Sequence, residues 1–96
     1  MKAYVIVDVM INDHERYEDY KKLTPGSLIP FGGKFIVRGP AVLTLEGDWR
    51  PNRLVILEFP SLEKAKEWWS SDIYGPAKLL RQSIAITQMI AVEGIE

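Results

Sequence analysis

The strongest constraint on this chain is a run of nine residues, Ala3 to Ile11 (AYVIVDVMI), that is apolar on both of the faces a strand presents. Successive side chains of a strand point to opposite sides, so Ala3, Val5, Val7, Val9 and Ile11 share one face and Tyr4, Ile6, Asp8 and Met10 the other. An antiparallel sheet with one face on helices and one in water alternates apolar with polar residues. Here the second face is too apolar for water, and Asp8 makes it too charged for a sealed core. Two later segments repeat the habit. From Arg53 to Phe59, Val55, Leu57 and Phe59 oppose Leu54, Ile56 and Glu58; from Lys34 to Arg38, Phe35 and Val37 oppose Lys34, Ile36 and Arg38. A second copy of the sheet packed on this open face would bury the apolar residues and leave a cleft where Asp8, Arg38 and Glu58 stand. The sequence therefore predicts a homodimer.

Between these runs the signals are helical. Asn12 and Asp13 are both capping residues, and Asn12 with Glu15 has capping-box spacing. The helix that follows runs through Tyr17, Tyr20 and Leu23, and Thr24-Pro25-Gly26 is expected to break it, because proline disfavours helical geometry in the residue before it. Gly39-Pro40 marks a turn, after which Val42 to Glu46 alternates like a strand that continues or hairpins. Ser61 caps a second helix with Leu62, Ala65 and Trp69 on one face, which places Trp69 in the core and leaves Trp68 for a cleft or a subunit contact. Ser70-Ser71-Asp72 interrupts it before a continuation from Ile73 to Arg81, restarted near Gly75-Pro76, and Ile84 to Val92 is the last strand. The order β-α-β-β-α-β predicts an α+β, ferredoxin-like domain spanning residues 1–96, an antiparallel sheet with its helices on one face.

Composition narrows the partners. Twelve basic and thirteen acidic residues give a formal charge of −1, with no basic run able to track a phosphate backbone, so no nucleic acid is expected. No segment approaches the roughly 20 apolar residues of a membrane span. Asp8 interrupts the N-terminal apolar run and no cleavage site follows it, so a cytoplasmic location is expected. Zero cysteines and one histidine leave no metal-ligand spacing and no Ser/His/Asp set. His14 falls in the exposed first turn of a helix, where a haem would not find a proximal ligand, so no cofactor is expected.

The segments FGGKFIVRG, LEGDWRP, RLVILEFPS and WWSSDIY, in this order and spacing, resemble the domain of unknown function family 1330 (DUF1330), of the dimeric α/β-barrel superfamily. The resemblance covers Met1 to Gly94. Matching positions are Gly32, Gly33, Arg38, Gly39, Glu46, Gly47, Arg53, Glu58, Phe59, Pro60 and Tyr74, with Arg81 in a similar arginine slot. It implies the ferredoxin-like fold and a dimer whose two sheets form a barrel-like core, and it implies no reaction. His14 stands where relatives often have proline, and Phe31 where they often have tyrosine, so no hydroxyl role carries over to position 31.

Two functions stay open at this point. In one, a small, anionic metabolite binds in the cleft on the sheet face, held by Arg38 with Asp8 or Glu58 as proton acceptor and with Tyr74 and Arg81 closing one end, as in a cofactor-free enzyme. In the other, the chain is a structural or binding module whose sheet-face charges are dimer ion pairs, Arg38 with Glu58 or Asp8.

Overall fold

The structure, a computed structural model, describes residues 1–39 and 41–95. Strand β1 (Ala3–Ile11) leads into helix α1 (His14–Leu28) and a 3-10 turn (Ile29–Phe31); β2 (Lys34–Arg38) and β3 (Leu54–Phe59) follow, then α2 (Leu62–Trp69), α3 (Gly75–Ile84) and β4 (Ala85–Glu93). The sheet runs β2-β3-β1-β4, every neighbouring pair antiparallel. This is the expected ferredoxin-like α+β order, with the helical layer on one face. Pro40, the second residue of the expected turn, and Glu96 lie outside the described residues.

The core lies between sheet and helices. Val5, Val7 and Val9 of β1 and Val55, Leu57 and Phe59 of β3 meet Tyr17, Tyr20 and Leu28 of α1 and Ala65 and Trp68 of α2. The expected helix face is rotated by one residue. Trp68 is 1% exposed and Trp69 is 44% exposed, because Ala65 and Trp68 at i, i+3 centre the buried stripe and Leu62 lies at its margin.

Proline does not end α1. Asp13 caps the helix by accepting from the Arg16 amide at 3.1 Å, and the helix runs through Pro25 to Leu28. Pro25 has no N–H to give the carbonyl four residues back, which is that of Lys21. Arg38 fills the gap, donating from Nη2 to the Lys21 oxygen at 3.2 Å, while its guanidinium lies 4.2 Å from the Phe35 ring centroid. Thr24 and Ser27 donate to the carbonyls of Tyr20 and Thr24 and close the same stretch.

Arg38 reaches α1 because β2 carries a bulge. Phe35 pairs with Leu57, but Val37 pairs with Ile56 and Arg38 with Val55, so the register slips at Ile36. One extra residue reverses every side chain beyond it. Arg38 therefore stands on the helix side of the sheet, and Val37 takes the open-face place that strict alternation assigns to Arg38.

The expected strand over Val42 to Glu46 is absent. The connection is irregular, and it exposes Val42, Leu43, Leu45 and Trp49. Asp8 ties its far end to the sheet, accepting from Trp49 Nε1 at 3.1 Å and from the Asn52 amide at 2.9 Å.

Candidate functional site

The sequence places Asp8, Arg38 and Glu58 together in one open-face cleft; the structure separates them. Asp8 holds the β2–β3 connection and Arg38 is strapped to α1. Glu58 stays on the open face between Lys34 at 3.1 Å and Lys2 at 3.5 Å. A carboxylate crowded by another acid would have its pKa raised. Glu58 goes the other way, lowered first by its hydrogen bond from Lys34, which marks an ion-paired acid.

Tyr74 and Arg81 are on the helix side with Arg38. They belong to a group of tyrosines and arginines gathered between α1, α3 and the sheet, in which Arg81 is buried, Arg53 half-buried and Arg38 exposed. Arg81, in the last turn of α3, is 4% exposed and donates from Nε to the Tyr74 hydroxyl at 3.3 Å. Tyr74, wholly buried beneath Trp68 with ring centroids 4.0 Å apart, shares a 2.7 Å hydrogen bond with Tyr20. Tyr17 and Tyr20 are one helical step apart on α1, ring centroids 5.2 Å apart, and the Arg53 guanidinium lies 5.7 Å from the Tyr17 ring. A cavity of about 30 Å³ lies among them, lined by Tyr17, Tyr20, Phe35, Arg38, Arg53, Arg81 and Trp68 but not by Tyr74.

Arg53 owes its position to a glycine. Gly39 has φ +69°, and a Cβ built on it would collide with the Arg53 guanidinium. The bare backbone at Gly39 lets the side chain of Arg53 lie flat beside Tyr17. Its Nε is buried and has no hydrogen-bond partner.

Three guanidinium groups thus line one small space, and among the described residues no carboxylate lies within 4.0 Å of any of them. Buried charges are ordinarily paired. Burial pulls Arg81 toward neutrality while Tyr74 and Tyr20 hold its proton, with a net upward balance, so it stays cationic. Burial is also the first cause of the raised pKa of Tyr20 and of Tyr17, with Tyr74 and Tyr20 respectively adding to it. At neutral pH these phenols are uncharged donors, not counter-ions.

The raised phenols fix the sign of a pH effect. A group whose folded pKa lies above its unfolded value contributes stability that is complete below the unfolded value, about pH 10 for tyrosine, and is lost as pH rises beyond it. Unfolding free energy is expected to fall steeply above about pH 10, and less steeply in Tyr20→Phe. Denaturant melts across that range give the two slopes; equal slopes would contradict the burial of the Tyr20 proton.

Outside this chamber a shallow cleft of about 420 Å³ is lined by Ile11, His14, Tyr17, Lys21, Asn52 and Arg53. The largest hollow, about 760 Å³, is an open groove between α2 and β4, bounded by Leu62, Ala65, Trp69, Met89 and Ala91. Its walls are mostly apolar, with no converging set of buried charges, so the smaller chamber is the candidate site. Among the described residues no three His, Cys, Asp or Glu side chains cluster as a metal site. No helix there is long and apolar enough to cross a membrane.

The sequence reading picks out Tyr74 and Arg81 but passes over Tyr17, Tyr20 and Arg53 as site residues. The two tyrosines repeat at helical spacing, which reads as core, and Arg53 appears only as a family position. The available signal was charge bookkeeping for Arg81, which lies in a run from Ile73 to Val92 that contains no acid.

The family model for the domain of unknown function DUF1330 matches residues 2–95. No curated protein matches the sequence. Among solved structures, a protein of unknown function from Rhodopseudomonas palustris superposes with a TM-score of 0.77 at 21% identity, covering 99% of this chain and 83% of its own. SnoaB, a cofactor-independent oxygenase from Streptomyces nogalater, superposes with a TM-score of 0.66 at 7% identity, covering 99% and 94%. A conserved protein of unknown function from Bacteroides thetaiotaomicron, described as a possible oxidoreductase, gives 0.64 at 20% identity, covering 97% of each chain. At these identities the likeness is one of fold.

Proposed function

We propose that this chain, which belongs to the DUF1330 family, binds a small anionic metabolite in the arginine–tyrosine chamber between sheet and helices, and that it works as a homodimer. The observation that carries the reading is Arg81, a fixed cation 4% exposed whose Nε donates to a neutral phenol. A guanidinium kept out of water without a counter-charge costs several kcal/mol on general grounds, roughly the scale of a buried ion's desolvation. A bound carboxylate or phosphate would offset that cost.

Fold neighbours described as an oxygenase and a possible oxidoreductase are consistent with small-molecule chemistry on this scaffold. The chamber itself supplies guanidinium and phenol donors, which hold and polarise an oxyanion. Its lining contains no carboxylate and no histidine to act as a general base. Binding is therefore the primary reading, and the proton-acceptor role expected of Asp8 or Glu58 has no place at this site. The alternative of a structural module gains support for those two residues and for Arg38, each of which has a structural partner, but it leaves the buried charge of Arg81 without a counter-ion and Nε of Arg53 without an acceptor.

A thermal-shift screen with small carboxylates and phosphates tests the reading. An anion at one hundred times its Kd adds about 2.7 kcal/mol to the native state. A saturable rise in Tm that disappears in Arg81→Met is expected; indifference to every anion would sink it.

The dimer rests on the open face, where Met10, Ile36, Ile86, Ile90 and Val92 are exposed together. A contiguous apolar face of this kind on a sheet is ordinarily covered. Light scattering at micromolar concentration is expected to give twice the 11.0 kDa chain mass. Ile90→Glu, which sets a charge opposite Ile6 on that face, is expected to give the single-chain mass. A parent protein of single-chain mass would refute the dimer.

A further inference from the structure

We propose that the chamber admits the head of a small monocarboxylic acid, whose body remains in the outer cleft, and that Arg53 and the Tyr20 hydroxyl receive the carboxylate. The inference rests on the anion-binding reading above and narrows it to one chemical class.

Size is the first argument. A cavity needs about 10–15 Å³ for each water-sized group it holds. The inner cavity of about 30 Å³ therefore holds two oxygen-sized groups. That matches the two oxygens of a planar carboxylate and is short of a tetrahedral phosphoryl group with three.

Access is the second. The inner cavity and the outer cleft of about 420 Å³ share Tyr17, Lys21 and Arg53 in their linings. A ligand that enters from the cleft meets those residues first and leaves its body against Ile11, His14 and Asn52. The rim also carries Glu18, whose carboxylate is 3.0 Å from Lys21 and whose pKa is lowered chiefly by that hydrogen bond. An ionised Glu18 disfavours a second negative charge on the ligand's body, which selects a monoacid over a diacid.

Donor supply is the third. Arg53 Nε has no acceptor. At the inner end, Arg81 can only donate, so the Tyr74 oxygen accepts from it. The 2.7 Å contact can take its proton from either hydroxyl, and a carboxylate in the cavity selects the direction from Tyr74 to Tyr20, which turns the Tyr20 proton toward the ligand. Tyr20 lines the cavity and Tyr74 does not. A relay that starts from a cation thus ends on a polarised hydroxyl in the space where a carboxylate oxygen would lie. Arg81 acts through the phenols, as a positioning residue.

The test is calorimetric titration with phenylacetate, phenylacetamide, benzylphosphonate, propanoate and inorganic phosphate. Phenylacetate and propanoate are expected to bind and phenylacetamide, with the same body and a neutral head, not to bind. Benzylphosphonate is expected at least about tenfold weaker than phenylacetate. Tyr20→Phe and Arg53→Gln are each expected to weaken phenylacetate about tenfold, the scale of one hydrogen bond to a charged group. Tyr20→Phe keeps the ring packing, so it decides the matter should Arg53→Gln melt early. Phosphate or benzylphosphonate binding while both carboxylates fail would overturn the carboxylate assignment and leave the anion site standing. Failure of every anion would overturn both, and carboxylate binding unchanged in both variants would overturn the location.

Discussion

Replacing Arg81 by methionine is expected to make the ligand-free protein more stable, on the scale of about 1–4 kcal/mol found when buried ion pairs give way to well-packed apolar residues. Arg81 is buried, its nearest polar neighbours are the hydroxyls of Tyr74 and Tyr20, and among the described residues no acid neutralises it. Methionine is unbranched and adaptable enough to fill the vacated volume. The Tyr20–Tyr74 hydrogen bond at 2.7 Å survives the change. For a domain of this size each kcal/mol moves Tm by about 4–8 °C, so the gain is readable in a melt. The same variant is expected to lose its response to anions. A structural arginine behaves in the opposite way: its removal lowers Tm, and that result would assign Arg81 to the scaffold.

The second large effect is expected at Trp68. Its indole stacks on Tyr74 at 4.0 Å, meets Phe59 at 5.4 Å and donates to Ser27 Oγ at 3.1 Å, while Ser27 itself donates to the Thr24 carbonyl. The one side chain therefore joins α2 to the proline-bearing end of α1 and to Tyr74, the residue that precedes α3. Trp68→Ala removes those contacts and leaves a cavity, an expected loss of about 3–5 kcal/mol. Because Trp68 borders both the α2–β4 groove and the arginine–tyrosine chamber, its loss also opens one into the other. Trp69→Ala is the control. Half exposed and held by a cation–π contact to Lys78 at 3.9 Å, it is expected to cost about 1 kcal/mol. Urea denaturation measures both, and equal costs would mean that the helix face is assigned wrongly.

The layer order was legible in the sequence because it depends on period. Five apolar residues alternate in β1, and capping residues, Asp13 and Ser61, precede α1 and α2. What escaped depends on single residues that break the period. The bulge at Ile36 carries no glycine or proline to announce it, yet it moves Arg38 through the sheet from the open face to the helix side. Pro25 reads as a helix stop, and it is one only where nothing supplies the missing donor. Here the displaced Arg38 supplies it, so the bulge in β2 and the unbroken helix at Pro25 are one feature of the structure. Val42 to Glu46 alternates as a strand does, yet among the described residues it pairs with no strand, although β2 at the sheet edge has β3 on one side only. The chamber was half legible. Tyr74 and Arg81 stand out as polar groups on a helix restart, whereas Tyr17 and Tyr20 carry the same spacing as core residues and Arg53 reads as the first residue of the third strand. Their common role follows only from where the fold brings them together.

The chain has five arginines, and their side-chain Nε–H groups give separate NMR resonances. Titration of the protein with phenylacetate, following those resonances, tests the anion-binding chamber most directly. The Arg53 and Arg81 signals are expected to move together and saturate at one Kd, with Arg16 and Arg50 unmoved. Signals that shift in all five arginines without saturation, or in none, would contradict a site between the sheet and the helices.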